Sequence, residues 1–168
     1  MSRVSQRARI IIAAIILTMS GVSLANADSL RAGIAAFARE DYVRAADIFG
    51  PLADRGNPVA QFHLCFMYAN GRGVQQNYAE AAMWCHRAAE QGYPPAQYLL
   101  GLLFDKGQGV PVNWVQAHKW LNLAASHAPP RDRAAWVRVR DAVASKMSMG
   151  QLAAARQLAL DWRPTPER

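Results

Sequence analysis

No cysteine precedes position 65, and the chain holds only two, Cys65 and Cys85. A lipid-modified N-terminal cysteine is therefore excluded. No two arginines are adjacent, which removes a twin-arginine export signal. Apolar runs are short: Ile10 to Leu17 is unbroken, but a membrane-spanning helix needs about 20 predominantly apolar residues. Charged residues are sparse, 18% against 52% hydrophobic, which describes a globular chain and not a disordered one. There is no nucleophile elbow, no phosphate loop and no pair of carboxylates at catalytic spacing. Gly71-x-Gly73 and Gly107-x-Gly109 lack the lysine and hydroxyl residue of a phosphate loop. They also recur, which marks them as turns.

What is present begins with a leader. Arg3, Arg7 and Arg9 form a positive region, the Ile10 to Leu17 run follows, and Ala25-Asn26-Ala27 places small residues at a cleavage site. These three parts in order describe a secretory signal over 1–27, cut after Ala27, and favour it over a membrane anchor. The chain's 168 residues then leave one domain. The formal charge of +7 is unevenly spread. Residues 28–128 carry eight basic and eight acidic side chains, and 129–168 carry eight basic and four acidic. A surplus this small is weak support for an anionic partner, and no nucleic-acid partner is expected of an exported chain.

The body of the chain repeats itself. Shifted by 36 residues, Ala60-Gln61 falls on Ala96-Gln97, and Leu64 on Leu100. Gly71, Gly73 and Val74 fall on Gly107, Gly109 and Val110; Asn77, Ala81, Trp84 and Ala88-Ala89 fall on Asn113, Ala117, Trp120 and Ala124-Ala125. Such a period marks a stacked-repeat architecture. Each full unit, 58–93 and 94–128, reads as two helices. Helix A spans about Pro58 to Ala69 and Pro94 to Asp105. Helix B spans Tyr78 to about Gln91 and Trp114 to about Ser126. Glycines make the turn between them. Asn77 and Asn113 are N-caps, with Glu80 and Gln116 placed to complete a reciprocal capping arrangement. A degenerate first unit, 28–57, is expected to start with a helix capped by Ser29 and to continue with one capped by Asp41, which Pro51 ends or kinks near Asp47–Phe49. Small residues on helix B, Ala81, Ala88 and Ala89, allow close helix approach, and Trp84 and Trp120 belong to the core.

Beyond Pro129-Pro130 the pattern breaks. Residues 129–162 read as two capping helices, the first with Ala134, Val137 and Ala142 facing inward, the second opened by a Ser148-x-x-Gln151 capping box. Residues 163–168 read as a flexible tail.

The units, Pro58-x-Ala60-Gln61-x-x-Leu64-x-x-x-Tyr68-x-x-Gly71-x-Gly73-Val74 and Asn77-x-x-x-Ala81-x-x-Trp84-x-x-x-Ala88-Ala89-x-x-Gly92, resemble Sel1-like repeats, a variant of the tetratricopeptide repeat. The resemblance implies an all-α, right-handed α-solenoid that binds other proteins. Sel1-type proteins are scaffolds and adaptors, in bacteria often tied to envelope signalling, and are not usually enzymes. By analogy with tetratricopeptide packing, Cys65 and Cys85 face each other. Export favours a disulfide between them; two buried free thiols are the alternative. No metal site or cofactor is expected. His63 and Cys65, two apart on a helix, point about 200° apart, and His86 points about 100° away from Cys85. The candidate binding face is the concave groove: Phe62 and Phe66, then Tyr98 and Leu102, with Asn70, Asp105 and Lys106 at the rim. The cap helices folding back over it are the alternative. The expected role is a periplasmic or secreted adaptor for another envelope protein or peptide, with no stable membrane span after signal cleavage. The rival is an envelope hydrolase or cell-wall binder, for which Trp114, Trp136 and Trp162 are the residues to inspect. Weak self-association of so short a solenoid is a third reading.

Overall fold

The computed structural model describes residues 26–167. The expected leader lies, but for Asn26 and Ala27, outside the described residues. Eight helices follow one another among the described residues: α1 (26–38), α2 (Tyr42–Asp54), α3 (Pro58–Asn70), α4 (Tyr78–Glu90), α5 (Pro94–Lys106), α6 (Trp114–Ser126), α7 (Pro130–Ala144) and α8 (Met149–Asp161). From α2 to α7, each helix packs on the next in sequence, which makes an α-solenoid. None of them is long and apolar enough to cross a membrane.

The repeated chemistry acts twice. Asn57, Asn77 and Asn113 cap α3, α4 and α6 with their side-chain oxygens. Gly71 and Gly107 end α3 and α5 in the left-handed conformation. The reciprocal half of the capping arrangement is not made at Asn77 or Asn113. Their backbone N–H groups donate instead to Tyr68 O and Phe104 O, both at 3.0 Å, so the loop between A and B helices closes on the A helix and leaves Glu80 and Gln116 no amide to accept from. Gln61 and Gln97 are buried at the unit junctions, where each donates to a carbonyl of the preceding helix, Ala53 O at 3.0 Å and Ala89 O at 3.2 Å. Ala81, Ala88, Ala89, Ala117 and Ala124 are fully buried, and Trp84 and Trp120 fill the core between helices.

The first unit departs from expectation. Helix α1 is already formed at residue 26, so Ser29 lies inside it and caps nothing. Asp41 precedes α2 but makes no capping bond. Its ψ of 68° lacks the extended geometry that aims the Asn77 side chain at its first-turn amides. Pro51 does not end α2, which continues to Asp54. Both Pro51 and Asp47 are exposed, so the carbonyl freed by proline meets water, and Leu52 and Ala53 are buried beyond it. Gly33 has a packing reason: the Phe49 ring of α2 occupies the space its Cβ would take.

The end of the chain also differs. In α7 Val143 is buried and Trp136, Val137, Val139 and Arg140 are half-buried, so of the three residues expected inward Val137 is covered while Ala134 and Ala142 are exposed. The Ser148–Gln151 capping box forms as expected. Helices α7 and α8 both pack on α6 and scarcely touch each other. Residues 163–167 lie back along the repeats.

Candidate functional site

Helices α3, α5 and α7 carry the proposed groove residues and their neighbours. On α3, Phe62 and Phe66 are half-buried. Phe62 meets Tyr93 with ring centroids 5.4 Å apart, and Phe66 meets Phe37 edge-on at 5.7 Å. Arg72, in the loop after α3, stacks its guanidinium 5.5 Å from the Phe66 ring centre and 5.2 Å from that of Tyr42, and donates to the Tyr42 hydroxyl at 2.6 Å. Asn70 is exposed and donates to Phe66 O at 2.7 Å. This end of the face is therefore aromatic, with one cation held over its rings.

The other end is covered. Trp136 of α7 stacks on Tyr98 at 4.9 Å with the rings 15° from parallel. Burial pushes the Tyr98 hydroxyl above its ordinary range. Lys146, in the turn after α7, donates to both oxygens of Asp105 at 2.7 and 3.0 Å. Leu102 is half-buried and Lys106 exposed. The cap thus engages the second unit's share of the groove and leaves the first unit's share to α1 and solvent.

His63 stands apart from the groove candidates. Its ring stacks on Phe49 at 4.6 Å, 5° from parallel, and meets Phe37 at 4.7 Å and Phe62 at 5.6 Å. Desolvation by this apolar box lowers its pKa from 6.5 to about 4. A histidine with a depressed folded pKa stabilises the fold fully above 6.5 and loses that contribution as pH falls toward 4. Denaturant titrations of the unaltered chain and of His63→Phe at pH 7 and pH 4.5 are expected to differ. The unaltered chain should lose about 2 kcal/mol more than the variant. Equal losses in the two would show that this ring is not held neutral by its box.

Cys65 and Cys85 are bonded, joining α3 to α4, and both are fully buried. The groups with shifted ionisation are spread along the chain: His63 on α3, Arg87 on α4 with its partner Glu167, Tyr93 and Tyr98 at the start of α5, and His118 and Lys119 on α6. Of the tryptophans flagged from the sequence, Trp136 covers Tyr98, and Trp162 meets Trp120 edge-on at 6.1 Å and donates to Glu90 at 3.0 Å. Trp114 is 36% exposed and borders a cavity of about 240 Å³ with Val112, Asn113, Val115 and Gln151. Sequence reasoning did not find Arg72 or the Arg87 site, and it singled out Trp136 only for the cell-wall reading, not as a cover for Tyr98. Arg87 carried one signal, since Leu123 stands at its place in the next unit.

The family model for the Sel1 repeat matches residues 58–93 and 94–128. A crystal structure of a protective antigen present in uropathogenic Escherichia coli strains, displaying an SLR fold, superposes with a TM-score of 0.74. The identity is 29%, over 82% of this chain and 29% of that one. A Sel1 repeat protein from Oxalobacter formigenes superposes with a TM-score of 0.52 at 39% identity, over 54% of this chain and 26% of that one. The chain thus spans less than a third of the length of either structure. No curated protein matches it. Two matched units in a helix-turn-helix solenoid, with these structural relatives, show that residues 58–128 are a pair of Sel1 repeats.

Proposed function

We propose that the chain is an exported, non-catalytic adaptor that binds a segment of another envelope protein on the concave face of its first full repeat. Sel1 repeats generally mediate protein–protein interaction. The observation that carries the reading is the half-buried Phe62–Phe66 face with Arg72 stacked over it and Asn70 at its rim. Aromatic residues and arginine are the types that anchor protein interfaces. Leu102 and Lys106 extend this face, whereas Tyr98 and Asp105 act through the cap that holds them. Export is supported by the leader pattern and by the buried disulfide, which persists in an oxidising compartment.

A photoreactive residue at Phe66, with the exposed Met83 of α4 as control, tests this in the source envelope. A discrete protein adduct at 66 and none at 83 is the expected result. A cell-wall reading draws on exposed Trp114 beside its shallow cavity; adducts to glycan, absent from protein, would favour it. No adduct at 66 would remove the groove as the binding face.

A further inference from the structure

The segment Arg163-Pro164-Thr165-Pro166-Glu167 leaves α8 and runs back over the junctions between units, against the order of the repeats. Pro164 lies over Gly92. The Thr165 N–H donates to Glu90 O at 2.7 Å. Glu167 accepts from Arg87 Nε at 2.9 Å, from Arg87 Nη2 at 2.6 Å and from Gln61 Nε2 at 2.9 Å. Its Cβ lies over Gly56.

Gly56 and Gly92 hold the same place in consecutive units, and both are left-handed, with φ of 86° and 87°. The segment therefore meets one junction at Pro164 and the next at Glu167. Three residues of extended proline-type chain cover ~9 Å at about 3.1 Å each. Pro164 to Glu167 thus reaches from one junction to the equivalent one in the preceding unit.

The recognition groups keep their positions through bonds of their own. Arg87 lies over the Trp84 ring at 4.7 Å and reaches Ala53 O at 3.3 Å. Gln61 donates to Ala53 O and accepts from Gln91 at 2.8 Å. A site organised without its occupant spends little on ordering when it binds. The ion pair is also reachable, with side-chain exposures of 30% and 28%.

We propose that this junction edge is a second interaction surface, separate from the concave face, and that it takes an extended segment of a partner protein with the pattern proline-x-x-acid. Residues 164–167 occupy it in cis. A tethered occupant acts at an effective concentration of about millimolar for a short flexible link. The partner segment displaces it by mass action.

The test is fluorescence anisotropy with a labelled peptide of residues 161–168, blocked at both ends, titrated with the chain. Glu167→Ala in the chain frees the site, and this variant should bind the peptide at least tenfold more tightly than the unaltered chain does. Replacing glutamate by glutamine in the peptide, or adding Arg87→Ala to the chain, should each cost tenfold or more. Reversing the pair, with Arg87→Glu in the chain and arginine at 167 of the peptide, should restore binding and guards against a misfolded variant. Absence of binding to Glu167→Ala at millimolar peptide would overturn the proposal, as would binding indifferent to Arg87. A dimer of the unaltered chain that Glu167→Ala abolishes would assign the surface to a second copy and also overturn it.

Discussion

Gly109→Ala is expected to lower the free energy of unfolding by about 2–5 kcal/mol. Gly109 has φ of 72°, in the left-handed region, which costs a residue with a Cβ roughly 1–2 kcal/mol. Its place in the loop adds a second cost. A Cβ there would overlap the carbonyl of Tyr78 and the amide of Ala79, the first residues of α4. That backbone is held by the Asn77 cap and cannot swing aside as a side chain would. Forced overpacking of this kind adds about 1–3 kcal/mol. Gly73 repeats the arrangement one unit earlier, against the backbone of Tyr42. The loop of each unit is seated on the start of the preceding B helix, and the glycine is what lets it sit. Gly71→Ala is the control: φ is 64° there, but the nearest atom to an added Cβ is the Gln76 side chain at 3.3 Å. It should lose only the conformational part. Urea midpoints would measure both. A Gly109→Ala midpoint equal to that of Gly71→Ala would show that loop seating contributes nothing to stability.

Removing the Cys65–Cys85 bond is expected to cost about 3 kcal/mol, because it closes a loop of about 20 residues. At roughly 2–4 °C per kcal/mol for a chain of this size, the melting midpoint should fall by about 6–12 °C. Both sulfurs are inaccessible, so reductant should act slowly on the folded protein and quickly once it is unfolded. The next unit shows what replaces the bond. Gly101 stands at the place of Cys65 and Leu121 at that of Cys85, and a Cβ on Gly101 would run into Leu121 Cγ at 2.7 Å. The two units fill one slot in two ways, by a covalent bridge or by a leucine against a glycine. Cys65→Ala with Cys85→Ala should lose the full amount. Cys65→Gly with Cys85→Leu should recover about 1–2 kcal/mol of it through restored apolar contact. Thermal melts of the three proteins check this. A Gly/Leu pair no better than the Ala/Ala pair would mean that the slots are not equivalent.

The helices were legible in advance because their ends are set by local chemistry. Asparagine before a first turn, glycine after a last one and proline inside a first one act over a few residues, and the 36-residue shift shows each of them twice. The Ser148–Gln151 box and the buried tryptophans Trp84 and Trp120 belong to the same class. Local reading failed where a rival bond was available from elsewhere in the fold. The Asn77 and Asn113 amides go to Tyr68 and Phe104, so the capping arrangement stays half made. The cap helices show a larger failure. Nothing within α7 says that Val143 and Trp136, not Ala134 and Ala142, face inward. The surface of α5 and α6 decides it, through Tyr98 and the core around Leu121.

The candidate face divides along the same line. Its positions followed from the repeat phase, because helix periodicity places residues two either side of Leu64 toward one side. Which half is covered depended on how α7 packs, and that is a contact between segments some 40 residues apart. Likewise Arg163 to Glu167, a proline-rich stretch with no core residue of its own, reads as loose when taken alone. Its place comes from Arg87, Gln61 and Glu90, which lie far back in the chain. By itself the sequence determined the period, the helix ends and the interior of the repeats, since these rest on neighbouring residues and a stripe that each unit carries. Only the tertiary structure decided how the ends of the chain close over the solenoid, because that rests on long-range surfaces meeting once and without repetition.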